Sequence, residues 1–265
     1  MAVATETSLP QWLIENPTDG SLLLLVPGGK FLAGGPGSDE GGGEPFAVEL
    51  PAYYLAMHAV TNGQYARFLS ERGPGDSDLQ KWIQLDSSYC SVRKSGNSYE
   101  AYGGKDDHPV VQVSWYGAEA YCQWAGVRLP SELEWEKGAR GVDGREHPWG
   151  NEWDVSKFRH YKNKGSETTS GVWSYPEGCS CWGHYQMSGN VWEWCEDVYD
   201  GQAYARYKGG DLTPPSGGSS ASRVLRGGSW YSVDPGYFRC AFRDCSGPDC
   251  RDNDLGFRVA RTLTP

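Results

Sequence analysis

Three cysteines stand five residues apart in RCAFRDCSGPDC, at Cys240, Cys245 and Cys250. Thiols at a regular interval raise the prospect of a nucleophilic or redox site, because the thiolate is the reactive form and clustered neighbours can activate it. The alternative is a surface on which cysteine is one side chain among many. A zinc centre has little support. The five histidines show no HxxxH or HExxH spacing, and Cys179 and Cys181 in CSC are too close for a CxxC knuckle.

Bulk properties limit the choices. A chain of 265 residues can bury one substantial core, and a single domain over 1–265 is predicted, with 1–21 as an N-terminal extension. The formal charge of -10 and the lack of a Lys/Arg cluster argue against nucleic acid as a partner. The apolar run LLLLV is far too short to insert in a bilayer, and MAVATETSLPQW is not a leader with a basic start and an apolar stretch. A cytoplasmic protein with reduced thiols is therefore expected, surface or virion display being left open. No repeat with a period of 20 to 50 residues is visible.

Positioning elements can be read along the chain. SLLLLVPGGKFLAGG predicts a short strand, a Pro-Gly-Gly turn and a second strand, and GGPGSDEGGGEP a surface loop. FAVELPAYYLAMHAVT predicts extended segments broken at Pro51. Thr61 with Gln64 forms a capping-box pattern opening a helix that carries Tyr65, Phe68 and Leu69 on one face and ends at Gly73. Residues 73–107 look polar and irregular. A second helix is expected from Ser114 to about Gly126 and a third after Ser131 and Glu134, burying Ala118, Tyr121, Cys122, Leu133 and Trp135. Residues 141–185 read as long ordered loops, RVLRGGSWY as a strand, and LGFRVAR as a closing strand with Leu255, Phe257 and Val259 alternating inward. Abundant glycine, tryptophan and tyrosine suit a loop-rich α+β fold with small antiparallel sheets, two or three helices and aromatic packing.

Eight segments in order across residues 22–261 (VPGGKFLAGG, HAVTNGQYARFL, HPVVQVSWYGAEAYCQWAGVRLPSELEWEKGARG, HPWGNEWD, MSGNVWEWCED, VLRGGSW, RCAFRD and LGFRVAR) carry a family resemblance. The chain resembles the formylglycine-generating enzyme (sulfatase-modifying factor) superfamily, a variant of the C-type lectin fold. That superfamily holds copper-dependent oxidases of a peptide cysteine, iron-dependent sulfoxide synthases and catalytically silent binding proteins, so fold alone does not choose among them. The oxidase resemblance implies two thiolates five positions apart holding Cu(I), a soft ion suited to sulfur. It puts the second at Cys240 and the first at a position occupied here by Pro235. A shifted pair, Cys240 with Cys245, keeps the oxidase as the alternative. The iron branch needs histidines from an additional N-terminal domain, for which the family-like core beginning near residue 22 leaves no room.

The third branch includes variable proteins of diversity-generating retroelements, whose 3′ coding end is rewritten at template adenines. Asparagine codons altered in that way cannot yield Lys, Glu, Gln, Met or Trp. None of these five types occurs from Tyr231 to Asp254, although they are frequent elsewhere in the chain. An ordinary housekeeping loop is the competing reading. By the resemblance, residues 226–261 form a C-terminal variable segment and closing strand, and the expected function is non-enzymatic binding of varied protein or other macromolecular ligands. The expected ligand-binding residues are Tyr231, Ser232, Val233, Asp234, Gly236, Tyr237, Phe238, Phe242, Asp244, Cys245, Ser246, Gly247, Cys250, Asp252, Asn253 and Asp254, a mixture of rings and small polar groups like that of antibody paratopes. Arg226, Arg239, Arg243 and Arg258 are expected to pair with carboxylates as scaffold, and Trp192, Trp194 and Trp230 to be core rings. QMSGNVWEW resembles a calcium turn of the enzyme branch, implying Gln186, Gly189, Val191 and Glu193 as ligands. A structural ion pair at Glu193 is the alternative there.

Overall fold

A computed structural model describes residues 10–35 and 44–263. The elements in chain order are β1 (Leu13–Glu15), β2 (Leu22–Val26), β3 (Gly29–Ala33), β4 (Phe46–Leu50), β5 (Tyr53–Ala56), α1 (Asn62–Arg72), α2 (Asp76–Trp82), β6 (Val92–Ser95) and β7 (Ser98–Ala101). There follow α3 (Trp115–Ala125), α4 (Glu132–Arg140), β8 (Trp192–Val198), α5 (Ala203–Lys208), β9 (Arg223–Arg226), β10 (Arg243–Ser246), β11 (Leu255–Phe257) and β12 (Ala260–Thr262). Two four-stranded sheets, β1-β2-β5-β12 and β10-β9-β8-β11, are accompanied by two separate two-stranded sheets, β3-β4 and β6-β7. The α+β class expected from sequence is what the chain adopts.

Side-chain caps fix the helix starts where the sequence places them. At α1, Thr61 Oγ1 accepts from the Gln64 amide while Gln64 Oε1 accepts from the Thr61 amide, and Ser131 and Glu134 do the same at α4. Gly73 and Gly126, at φ of 58° and 70°, close α1 and α3 in the left-handed conformation that a Cβ disfavours. The buried faces of α1 and α3 meet through Tyr65, Phe68 and Tyr121, with Phe257 of β11 completing the ring cluster. Such ring pairs contribute about 0.5–1.5 kcal/mol each beyond their burial.

The two strands flanking the Pro-Gly-Gly turn form as expected, β2 lying between β1 and β5 and β3 pairing with β4. The turn between them is held by the Lys137 ammonium, which donates to the carbonyls of Pro27 at 2.7 Å and Gly29 at 2.9 Å. Most of the glycine-rich loop after β3, residues 36–43, lies outside the described residues. Other expectations change. Residues 73–107 are not irregular, since they contain α2 and the β6-β7 hairpin and send Trp82, Ile83, Cys90 and Val92 into the main core. Five helices are described instead of two or three, because α2 and α5 are too short to show an apolar period.

LGFRVAR is not one alternating strand. Residues 255–260 are buried on both faces, as β11 runs parallel to β8 while β12 pairs antiparallel with β5. The final segment thus supplies an edge strand to each four-stranded sheet, with Arg258 buried at the crossing. Its guanidinium binds both carboxylate oxygens of Glu193, at 2.6 and 2.8 Å, and the carbonyls of Ala56 and Tyr185.

The start of α4 carries a titration. The Glu132 amide donates to Asp197 Oδ2 at 2.7 Å. Burial, with the Glu132 carboxylate nearby, pushes the Asp197 carboxyl up to about 7. Glu196 and Glu134 add to the rise. The ordinary value of an unfolded Asp is about 3.9, so between roughly pH 4 and 7 the unfolded chain releases a proton that the folded chain keeps. This contribution is therefore intact below pH 4 and is lost as pH rises towards 7. Asp197→Asn is expected to raise the urea midpoint at pH 8 relative to the parent and to leave it unchanged at pH 4; an equal effect at both pH values would refute the assignment.

Candidate functional site

The surface read as variable is built upwards from a buried ionic layer. Arg226, at the end of β9, is fully buried, with Nη2 at 2.8 Å from Glu136 Oε2 of α4. Its guanidinium also donates to the carbonyls of Cys240 at 2.8 Å, Ala241 at 3.2 Å and Phe242 at 2.8 Å. Beside it, Arg243 clasps Glu132 at 2.6 and 2.9 Å, and Arg140 holds Glu136 at 2.7 Å. Burial alone would raise the Glu136 carboxyl, yet Arg226 and Arg140 hold it below the ordinary glutamate range. Tyr204 donates its hydroxyl to the same carboxylate.

Other framework groups also reach the segment through its main chain. Ser188 Oγ donates to the Phe238 carbonyl at 2.8 Å, and His147 Nδ1 lies 3.1 Å from it. The Cys240 amide donates to the Glu146 carbonyl. The amides of Trp115, Gln112 and Trp192 donate to the carbonyls of Pro248, Asp252 and Asp254, and Trp230 Nε1 donates to Asn253 O. These contacts do not depend on the identities of the side chains being held. β10 adds a backbone ladder to β9 over residues 243–246.

The side chains of the segment then divide. Tyr231, Val233 and Tyr237 are 62%, 60% and 37% exposed. Asp234, Cys250 and Asp252 are also exposed, while Gly236, Phe242, Asp244, Cys245, Ser246, Gly247, Asn253 and Asp254 are partly so. Two of the expected contact residues face inward instead. Phe238 packs on Phe158, with ring centroids 4.6 Å apart, and on Trp153 and His160; Ser232 is buried against Ser229. Phe238 is the last residue of a short 3-10 helix at Pro235–Phe238, opened by Asp234 accepting from the Gly236 amide, whereas Ser232 Oγ is held by the Ser229 amide. Burial, with Asp252 and Asp244 nearby, pushes the Asp254 carboxyl up to about 6, opposed by its bond from Ser229 Oγ. The rings join across the face: Tyr231 meets Trp230 and Tyr161, and Tyr237 meets Trp192 and Phe242. Tyr161 is a member of this face that the sequence did not reveal, because it lies in a loop 70 residues upstream of the segment.

All eight cysteines are free thiols. Cys240 is fully buried in a cluster with Trp135, Met187 and Cys195, and burial pushes its thiol up to about 12. Cys245 lies partly buried on β10 opposite Val224 and Cys250 is exposed, so the three do not share one environment. Pro235 begins the 3-10 helix. Among the described residues no group of three or more His, Cys, Asp or Glu could hold a metal.

The polar side chains of the residues named by the calcium resemblance have partners within the chain. Glu193 is bound to Arg258 through both oxygens and also accepts from Trp135 Nε1 at 2.7 Å. Gln186 Oε1 accepts from Asn190, and its amide nitrogen donates to the Gly171 and Ser174 carbonyls. Gly189 and Val191 belong to the same turn, and the Glu193–Arg258 contact is the ion pair given above as the alternative to calcium at Glu193. Arg226, Arg243 and Arg258 form the carboxylate pairs expected of them, and Arg239 lies 3.5 Å from Glu146. Trp192, Trp194 and Trp230 are buried.

Residues 13–263 match the sulfatase-modifying factor enzyme 1-like domain. The chain is 39% identical over 249 residues to the serine/threonine-protein kinase Pkn1 of Chlamydia trachomatis, covering 91% of this chain but only 38% of that protein. It is 34% identical to the formylglycine-generating enzyme of Streptomyces coelicolor, covering 89% of this chain and 88% of the relative. Among solved structures it is similar to PvdO from Pseudomonas aeruginosa, with a TM-score of 0.74 at 23% identity over 97% of this chain and 100% of that one. Variable protein 1 of Treponema denticola superposes with a TM-score of 0.65 at 21% identity, over 95% and 98% of the two chains, a likeness of fold. No helix among the described residues is long and apolar enough to cross a membrane.

Proposed function

The chain belongs to the sulfatase-modifying factor enzyme 1-like family, and from that premise we propose that it is a non-enzymatic binding member whose segment 231–254 is diversified to contact macromolecular ligands. The observation that carries this reading is the way the segment is held. Arg226, Ser188, Trp230 and the amides of Gln112, Trp115 and Trp192 grip its carbonyls, while Tyr231, Val233 and Tyr237 project outward. A backbone fixed from below, with side chains free to change, is what a variable binding surface requires. The absence of Lys, Glu, Gln, Met and Trp from 231 to 254 supports the same reading.

The test is the DNA flanking the coding region. A near-copy of the bases encoding residues 226–260, differing at adenines, is expected beside a reverse transcriptase gene. A locus without such a copy overturns diversification.

A second reading, a copper-dependent oxidase acting on a peptide cysteine, is favoured by the 34% identity to the Streptomyces enzyme. Against it stand Pro235 at the position expected for the first thiolate and the burial of Cys240. Titration of Cu(I) against the parent, Cys240→Ser and Cys245→Ser separates the two readings. The binding protein is expected to show no stoichiometric thiolate site and no difference between the three chains. Tight Cu(I) binding abolished by either change would overturn the binding-protein reading.

A further inference from the structure

The exposed rings of this face have a charge environment that selects among partners. Tyr161 and Tyr231 are 47% and 62% exposed and meet edge to face at 6.0 Å, and Tyr237 presents its edge beside Trp192 and Phe242. The Lys164 ammonium lies 5.5 Å from the Tyr161 ring centre and 5.4 Å from that of Trp230, so those two rings already hold a cation of the chain and Tyr231 and Tyr237 are the rings left for a partner. Asp234, Asp249 and Asp252 of the same segment are exposed, and Lys162 is exposed beside Tyr161 on the neighbouring loop. The segment's own cations are committed: Arg243 is buried against Glu132, Arg239 lies by Glu146, and Arg251 donates to the Gln80 carbonyl. The whole chain adds a formal charge of -10.

We propose that the exposed rings of Tyr231 and Tyr237 dock a lysine- or arginine-rich protein surface, with cationic side chains seated on the rings and the segment's exposed carboxylates steering them. This rests on the binding-protein reading and names the partner chemistry for the segment sequence present here. Complementary charge guides the encounter, and the rings supply contact area at low entropic cost. A basic partner also satisfies the exposed aspartates, which an acidic or nucleic-acid partner would leave opposed by like charge.

The test uses the full chain and two dye-labelled peptides, one alternating lysine with glycine and leucine, the other with glutamate in place of lysine. Fluorescence anisotropy is expected to show saturable binding of the lysine peptide only. Tyr231→Ala combined with Tyr237→Ala should weaken it by about tenfold, as loss of two cation–ring contacts implies. Asp234→Asn with Asp252→Asn should weaken it several-fold and flatten its salt dependence. Equal binding of the two peptides, no binding of the lysine peptide at millimolar concentration, or full binding by the tyrosine variant each overturns the proposal, the last by showing attraction to net charge alone. None of these outcomes touches the template test above, so a flanking near-copy together with a failed peptide assay would leave diversification standing and reject the basic partner.

Discussion

Arg226→Met is expected to cost about 3–5 kcal/mol, the usual price of removing one member of a buried ion pair. For a chain of this size that corresponds to a thermal midpoint lower by about 10 °C. Methionine approximates the length of the side chain but leaves Glu136 with less compensation for its burial and strips donors from the carbonyls of Cys240, Ala241 and Phe242. The loss should therefore be local as well as global. Amide hydrogen exchange in β10, next to those carbonyls, should quicken more than exchange in α1 or α3. A midpoint within about 1 °C of the parent would mean that Arg140 and Tyr204 satisfy Glu136 unaided, and the anchoring role given to Arg226 would fall.

The second large effect is a contrast within one segment. Phe238→Ala should cost about 3–5 kcal/mol, because the ring is 1% exposed and packs on Phe158, and its removal leaves a cavity. Tyr231→Ser together with Val233→Ser should cost less than about 1 kcal/mol, since exposed side chains outside special features contribute little. Denaturant melts of the two variants measure this directly. If the exposed pair destabilised as much as Phe238→Ala, the surface residues would be structural and unsuited to variation.

Much of the fold was legible because local chemistry determines it. The capping boxes at Thr61 and Ser131 fixed the starts of α1 and α4, and the buried Tyr65, Phe68, Leu69, Tyr121 and Trp135 lay on the faces their spacing implied. Residues 73–107 were misread because α2 is a single short helix and the β6-β7 hairpin is mostly exposed, so neither shows a sustained apolar period. Pairing partners were hidden for a different reason. Nothing local to LLLLV shows that it joins β5 instead of β3, because that choice is made by residues far along the chain. In the candidate site, the exposed Tyr231 and Tyr237 and the scaffold role of Arg226 and Arg243 were readable. The inward turn of Phe238 and the contribution of Tyr161 were not, since both depend on how loops 147–163 pack against the segment.

The crossing of residues 255–260 between the two sheets acts as a check on the reading frame. A chain that stopped or shifted frame anywhere in 231–254 would lose β11 and β12 together, and with them Arg258, leaving Glu193 buried without its main counter-charge. Such a product could complete neither four-stranded sheet.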